Sequence, residues 1–344
     1  MPDPIIKDNS KTFNNSGNSK ELSELDRLYL SKSEEDLLNF YSHFPTSEEL
    51  ISWMKSRPKA EPNIVHVKGD RGDVAVVIPT ISASSEFATE CRGIFKSFHI
   101  IFVESGESNP FFSFSHNCNV GFKYAIESLS PSWVVYSNDD MFRIDPPDQL
   151  FAELKRAESS GSDVLFAGFP SYYHSYVSRF MEPRDEYRIA LKIIENTHLI
   201  VSRMIGGKME VRKMLLEKLD IRYTPVWEGK SRLADKLSRK LERIEIAQVI
   251  NTGSFGILSA ELIRKKKGEI YDENFLMFGS EDIDLSIMIE KEKIPYSFID
   301  YKIGDLVGMS TGEGFQKYLR YLANYAYLNF KHPITTIRGL RMEY

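Results

Sequence analysis

The chain has 344 residues, enough for two domains or for one large α/β domain with additions. Hydrophobic residues make up 42% and charged residues 27% of it, which excludes a wholly disordered or fibrous protein. The formal net charge is −5, so no overall basic excess indicates binding to nucleic acid. Residues 171–250 and 315–344 are nevertheless both basic, and the remainder is strongly acidic.

The N-terminal part of the chain differs in texture from the rest. Residues 1–20 are rich in Asn, Ser and Lys with few large apolar side chains, so we predict that they are disordered. Residues 21–62 carry apolar side chains at helical spacing and end in a proline-bearing linker. This pattern predicts a small helical extension.

From about residue 63 the pattern alternates between strands and helices. Short apolar runs rich in β-branched residues predict buried strands at 74–78, 100–103, 133–136 and 164–167. Helical patterns lie between them at about 84–96, 117–129 and 147–159. Strands separated by helices of this length predict a Rossmann-like, mainly parallel sheet flanked by helices.

The remaining segments complete the predicted organisation. Residues 171–250 read as a basic, helix-like insertion, and the run from Ser254 to Leu258 predicts a strand that returns the chain to the sheet. We therefore expect one α/β domain over residues 63–313. Residues 314–344 are expected to form a C-terminal amphipathic helix and tail, with tyrosines at helical spacing.

Features that the sequence lacks narrow the expected cellular compartment and the expected class of cofactor. Cys91 and Cys118 are too few for a disulfide scaffold or a multi-cysteine metal site, and no apolar stretch of about 18 residues is present. We expect a cytoplasmic protein that does not span a membrane. No G-x-G-x-x-G or P-loop motif occurs, which argues against a Rossmann dehydrogenase and a P-loop nucleotidase.

Two groups of carboxylates stand out against this background. Asp139 and Asp140 directly follow a predicted strand, where an open parallel sheet binds its ligands. Adjacent acids there suit a divalent cation, although capping of the next turn accounts for them equally well. Glu281 and Asp282 belong to a second acidic segment. The helix dipole favours acids in the first turn of a helix, so a helix start would also account for them.

Seven short segments in chain order carry a family resemblance. They run from Val76 to Thr80, Val103 to Gly106, Asn119 to Gly121, Ser137 to Met141, Thr252 to Phe255, Tyr271 to Phe275 and Phe278 to Leu285. Each is weak alone, but together their order and spacing resemble glycosyltransferase family 2, and the resemblance covers about 240 residues, 74–310. That resemblance implies the GT-A fold and a nucleotide-diphospho-sugar donor. It also implies Mg²⁺ or Mn²⁺ and transfer to an acceptor hydroxyl, usually with inversion.

The resemblance also implies roles on the donor side. Pro79, Thr80 and Glu104 would line the nucleotide, where a carboxylate can accept hydrogen bonds from base or ribose. Asn138 and the two aspartates after it stand where the family has D-x-D. Asp140 would bind the metal ion, and Asp139 would face ribose or sugar. Because Asn138 replaces the first aspartate, a single carboxylate ligand is expected from this motif.

Two further positions follow from the same resemblance. Asp282 falls at the family's catalytic base, and Glu281 beside it would contact the acceptor or orient that base. Asp305 stands where the family often has a metal-binding histidine in an H-x-x-G-x-S context. Its carboxylate can bind Mg²⁺ or Mn²⁺ through oxygen, and an exposed loop acid is the alternative.

The basic segments suggest partners. By the same resemblance, the insertion at residues 171–250 would occupy the acceptor region, and its charge suits a phosphate-bearing acceptor such as a lipid-linked diphospho-sugar. His174 within it is expected to meet acceptor or solvent. The run from Lys230 to Leu241 and the C-terminal helix suit an anionic membrane surface. A solvated face, core packing of the tyrosines or dimerisation accounts for these patterns as well, so the oligomeric state is left open.

The prediction is therefore a metal-dependent inverting glycosyltransferase with a sugar or lipid-linked acceptor and no nucleic-acid partner. A nucleotidyltransferase of related topology is one alternative, although residues 80–90 lack the Gly-rich basic loop expected of it. A noncatalytic carbohydrate-binding or scaffold protein is the other.

Overall fold

The computed structural model describes residues 22–106, 109–169, 173–183, 201–227, 243–277, 279–306 and 314–340. The predicted disorder of residues 1–20 and the amphipathic run from Lys230 to Leu241 lie outside the described residues.

Helices occupy the N-terminal region where helical spacing predicted them. They are α1 (Glu24–Leu30), α2 (Glu34–Ser42) and α3 (Ser47–Ser56). Each begins after a hydroxyl residue whose side chain accepts a hydrogen bond from a first-turn N–H, namely Ser23, Ser33 and Thr46. Such caps satisfy backbone donors that the helix itself leaves free, and this fixes where each helix starts.

The first half of the α/β region follows the predicted alternation. Its strands are β1 (Asn63–Val67), β2 (Arg71–Thr80), β3 (Phe98–Glu104), β4 (Trp133–Ser137), β5 (Met141–Arg143) and β6 (Val164–Ala167). Its helices are α4 (Glu86–Ile94), α5 (Phe114–Ser128) and α6 (Pro147–Ala157). All four strands and three helices predicted here are present.

The second half is more varied than predicted. Its strands are β7 (Tyr176–Pro183), β8 (Thr224–Trp227), β9 (Arg243–Asn251), β10 (Phe255–Ser259), β11 (Tyr296–Ile299) and β12 (Ile303–Asp305). Its helices are α7 (Val201–Lys218), α8 (Ala260–Lys265), α9 (Glu281–Glu292), α10 (Gly314–Lys331) and α11 (Ile334–Arg338). The helix-like interpretation of residues 171–250 was incomplete, because β8, β7 and β9 form an antiparallel sheet there.

The described residues build a seven-stranded mixed sheet in the order β1-β3-β2-β4-β10-β6-β11. Five of its strands run in one direction, while β1 and β10 run in the other. The predicted strand at 254–258 is therefore present but antiparallel. Its first residue, Phe255, pairs with Ser137 at the carboxyl end of β4, so the chain re-enters the sheet from the carboxyl edge of the parallel strands. The fold is α/β with a Rossmann-like sheet flanked by helices.

Helix α9 lies between two hydrophobic cores. Leu285 and Ile289 pack with β2, β4 and α5 in a core on one face of the sheet. Ile283 and Ile287 pack instead with the N-terminal helices, α7 and α10 in a second, largely helical core. The start of α9, which carries the second predicted acidic group, is thus held from both sides.

The C-terminal helix α10 is a core element. Tyr327 and Leu322 are buried in the helical core, and Lys331 forms ion pairs of 2.8 Å with both Asp272 and Asp284. Core packing, one of the roles considered for the tyrosines of this helix, is therefore observed for Tyr327. No helix in the part of the chain that the structure describes is long and apolar enough to cross a bilayer.

A histidine pair on β1 and β3 makes stability depend on pH. A hydrogen bond of 2.8 Å joins His66 Nε2 and His99 Nδ1. Burial, with the charge of Lys68, lowers the pKa of His99, whereas an unfolded histidine has a pKa of about 6.5. At pH values below about 6.5 the unfolded chain therefore binds more protons than the folded chain, and stability is lost as pH falls through this region. Urea unfolding should show this loss, and it should be smaller in His99→Gln.

Candidate functional site

Three strand ends bring most of the predicted donor-side residues to one edge of the sheet. Thr80 ends β2 and pairs with Glu104 at the end of the parallel strand β3. Pro79 is buried just before Thr80. Asp139 follows β4, and the Thr80 hydroxyl donates a 2.7 Å hydrogen bond to its Oδ2. The ends of adjacent parallel strands thus meet as expected.

Glu104 is engaged in local structure. Its Oε1 accepts a hydrogen bond of 2.6 Å from the Ala83 N–H, and its Oε2 accepts one of 2.8 Å from Asn63 Nδ2. The carboxylate therefore fastens the loop after β2 and the start of β1. Its predicted contact with a nucleotide remains a prediction.

Asp140 and Asp305 come together through a small two-stranded sheet. Strand β12 pairs antiparallel with β5, which places Asp305 opposite Met141, and the Leu306 N–H donates to the Asp140 carbonyl at 3.0 Å. Burial raises the pKa of Asp140, and the charges of Asp139 and Asp305 raise it further. Asp305 lies half-buried in a strand, not in an exposed loop.

The carboxylate oxygens at this place suit a hard cation whose coordination shell would be completed by phosphate oxygens. Asp140 Oδ1 is buried and has no hydrogen-bond partner, and the mutual repulsion of Asp140 and Asp305 would be offset by a divalent charge. Within the described ranges, no three His, Cys, Asp or Glu side chains gather as a metal-binding group. Mg²⁺ is commonly held by one or two carboxylates plus substrate phosphates, and Asp140 and Asp305 could supply two.

The turn before α9 aims the second acidic group. Gly279 has φ of +97°, and a Cβ there would come 2.1 Å from the ring of Tyr321. Only glycine fits that conformation and that close contact. Ser280 follows at φ of 74°, and α9 then begins at Glu281.

Asp282 is half-buried and accepts hydrogen bonds from three donors. The Ile283 N–H donates to Oδ1 at 2.9 Å, while Asn251 Nδ2 and the Tyr176 hydroxyl donate to Oδ2 at 3.1 Å and 3.3 Å. Burial raises the pKa of Asp282, and these three donors oppose that rise. Asp282 is thus a fixed, partly accessible carboxylate, as a general base needs to be.

Glu281 has a different environment from its neighbour. It is 6% exposed, and its Oε2 is buried without a hydrogen-bond partner. Burial raises the pKa of Glu281 well above its usual range, and the charge of Asp282 raises it further. The two adjacent acids therefore differ in chemical character.

The segment Asn251–Ser254 joins the two acidic groups. Asn251 donates to Asp282, and its Oδ1 accepts a 2.7 Å hydrogen bond from the Gly253 N–H. The Ser254 hydroxyl donates to Asp305, and its carbonyl accepts from the Asn138 N–H at 2.9 Å. Both groups consequently belong to one site at the carboxyl edge of the sheet.

Three residues of this site were missed or misplaced by sequence reasoning. Asn251 and Tyr176 gave no signal, because their contacts with Asp282 span 31 and 106 residues of the chain. His174 was expected to meet acceptor or solvent, but it is 3% exposed and packs against Gly253. Neither of its ring nitrogens has a hydrogen-bond partner, and burial lowers its pKa to about 4 despite the opposing charge of Asp305.

The site therefore offers two chemistries side by side. Asp140 and Asp305 could provide oxygen ligands for a cation, and Asp282 provides a carboxylate that can accept a proton. Comparison with known proteins gave no match to any protein-family model and none to any curated protein.

Proposed function

We propose that the chain is a metal-dependent inverting glycosyltransferase with the GT-A fold of glycosyltransferase family 2. It would move a sugar from a nucleotide-diphospho-sugar to an acceptor hydroxyl. The observation that carries this proposal is the joining of both acidic groups by the segment Asn251–Ser254. Inversion needs a base on the acceptor side and charge neutralisation on the opposite, leaving-group side.

The donor side is assigned to the strand ends. Asp140 and Asp305 would hold Mg²⁺ or Mn²⁺, which when bound neutralises charge that develops on the departing diphosphate. Asp139, whose Oδ2 accepts a hydrogen bond from the Thr80 hydroxyl, would accept one from ribose or sugar. Asn138 is tied to Ser254 through its backbone, which fixes this turn against β10.

The acceptor side is assigned to the start of α9. Asp282 would take the proton of the acceptor hydroxyl as the new glycosidic bond forms. Asn251 and Tyr176 donate hydrogen bonds to its carboxylate. The side chain is therefore already oriented before the acceptor binds, and no conformational entropy is lost in orienting it during the reaction. The basic insertion supports a sugar or lipid-linked acceptor that carries phosphate.

The proposed setting is the cytoplasm, with contact to a membrane surface where the acceptor is lipid-linked. Cys91 and Cys118 are both buried and free, as a reducing compartment allows. Membrane contact rests on the basic character of residues 230–241, which lie outside the described residues.

A thermal-shift screen tests the donor assignment. Nucleoside diphosphates and nucleotide sugars are added with and without Mn²⁺, because a ligand that binds only the folded state raises its apparent stability. We expect a shift that requires both nucleotide and metal. The absence of a shift with every nucleotide would remove the donor from the proposal. Binding without transfer to any acceptor would instead favour a noncatalytic carbohydrate-binding protein.

Asp140→Ala is expected to weaken metal-dependent donor binding. The substitution removes one of two carboxylate ligands, so the apparent affinity measured from the Mn²⁺-dependent thermal shift should fall by at least about tenfold. Asp148→Ala is the matched control, since Asp148 is exposed and pairs with Arg71. An unchanged Mn²⁺ dependence in Asp140→Ala would exclude Asp140 as a ligand.

A further inference from the structure

Hydrogen-bond donors are divided unequally between the two adjacent acids of the site. Asp282 receives three, from Ile283, Asn251 and Tyr176, and two of them come from side chains. The carboxyl of Glu281 receives only backbone N–H groups, and its Oε2 is buried without a partner. Hydrogen bonds to a carboxylate favour its charged form, and burial without them favours the neutral acid. Adjacent acids of which one is buried and the other half-buried do not both ionise readily, so the donors decide which one carries the charge.

The orientation of the Asn251 amide is fixed by its other contacts. The side chain is fully buried, and its Oδ1 accepts from the Gly253 N–H at 2.7 Å. Its Nδ2 must then point the other way, toward Ser178 Oγ at 3.2 Å and Asp282 Oδ2 at 3.1 Å. Asn251 therefore cannot present its oxygen to Asp282 without losing the bond from Gly253.

We propose that Asn251 is a positioning residue that keeps the single negative charge of this pair on Asp282 and the proton on Glu281. The use of that charge in sugar transfer rests on the proposed function. The acceptor hydroxyl gives its proton to Asp282 while its oxygen bonds to the anomeric carbon, and the diphosphate leaves with the electron pair of the broken bond. Glu281 remains a neutral acid that can donate a hydrogen bond beside it.

The other titratable groups that face Glu281 and Asp282 do not take over the negative charge assigned to Asp282. They come from β4, α5, β7, the segment before α9, α9 itself and α10, namely Tyr136, Cys118, Tyr176, Tyr271, Asp284 and Tyr321. Burial raises the pKa of each of these tyrosines and of the thiol, so they stay neutral at physiological pH. Asp284 is already paired with Lys331 and His332.

Carboxyl carbon NMR of protein labelled at Asp and Glu side chains tests the proposal directly. The signal lost in Asp282→Asn identifies Asp282. We expect Asn251→Ala to raise its titration midpoint by about one pH unit. Ser178→Ala, which removes a contact of Asn251 but none of Asp282, is the matched control and should leave that midpoint in place.

Glu281→Gln supplies the second arm. If Glu281 is already neutral while Asp282 titrates, replacing it with a neutral amide leaves the Asp282 midpoint unchanged. A clear fall of that midpoint in Glu281→Gln, or an unchanged midpoint in Asn251→Ala, would overturn the assignment. Should Asn251→Ala not fold, Tyr176→Phe removes another donor to the same oxygen and should shift the midpoint upward by less.

Kinetics separates this inference from the proposed function. The acidic limb of the pH profile of kcat/KM should move to higher pH in Asn251→Ala, together with the NMR titration midpoint of Asp282. An NMR shift in a protein that transfers no sugar would overturn the glycosyltransferase proposal and leave the charge assignment standing. Transfer activity with no NMR shift would do the reverse.

Discussion

Asp282→Asn is expected to lower the rate of the proposed sugar transfer by about 10²- to 10⁴-fold, the range that a general base contributes. The amide keeps the size of the side chain and can still accept from Asn251 through its oxygen, but it cannot take a proton from the acceptor hydroxyl. Because Asp140 and Asp305 lie at the other end of the segment Asn251–Ser254, the donor-induced thermal shift should persist. The effect should therefore appear in kcat and not in donor affinity.

Glu292→Gln is the matched control for this prediction. Glu292 is an acid at the far end of the same helix, where it pairs with Lys266 at 2.7 Å. Its substitution should leave transfer unchanged. Full transfer activity in Asp282→Asn would show that another group accepts the proton and would remove Asp282 from the proposed mechanism.

The sheet was predictable from the sequence because its central strands are buried on both faces. A continuous apolar run such as Val74 to Ile78 strongly favours a buried strand once a helix of suitable length follows it. The direction of β10 was not predictable, since an antiparallel strand buried on both faces shows the same apolar run. The sheet formed by β7, β8 and β9 was missed because its strands lie among basic, helix-like segments.

Some residues of the candidate site were likewise predictable from the sequence and others were not. Acids that follow strands, such as Asp139 and Asp140, can be assigned to the ligand edge once the strands are known. The buried amide of Asn251 has no such signal, because nothing in its local pattern indicates an acid 31 residues away. Sequence therefore predicts the reactive groups better than the side chains that orient them.

Arg57→Met is expected to destabilise the whole protein by about 3–5 kcal/mol, the usual cost of removing one partner from a buried ion pair. The guanidinium bonds Asp26 at 2.7 Å, and the two side chains are only 4% and 9% exposed. It also donates to the Pro110 carbonyl and lies over the rings of Trp53 and Phe111. Arg57 thereby links the N-terminal helices to the segment that precedes α5.

A double substitution separates the ion pair from simple packing. In Arg57→Met alone, Asp26 is left as a buried charge without its partner. Asp26→Leu combined with Arg57→Met removes both charges, so urea unfolding should show a smaller loss than Arg57→Met alone. A double variant as unstable as the sum of the two singles would mean that the ring contacts of Arg57, and not its charge, stabilise the junction.

The site should respond to the same substitutions. Ile283 and Ile287 anchor α9 in the helical core that contains Tyr29 of α1, a ring that also faces Arg57 at 5.8 Å. Loosening that core therefore acts on the helix that carries Asp282. In Arg57→Met, the proposed transfer should fall at temperatures below global unfolding and recover in the double variant. The Mn²⁺-dependent shift, which the proposal assigns to the sheet edge, should change less.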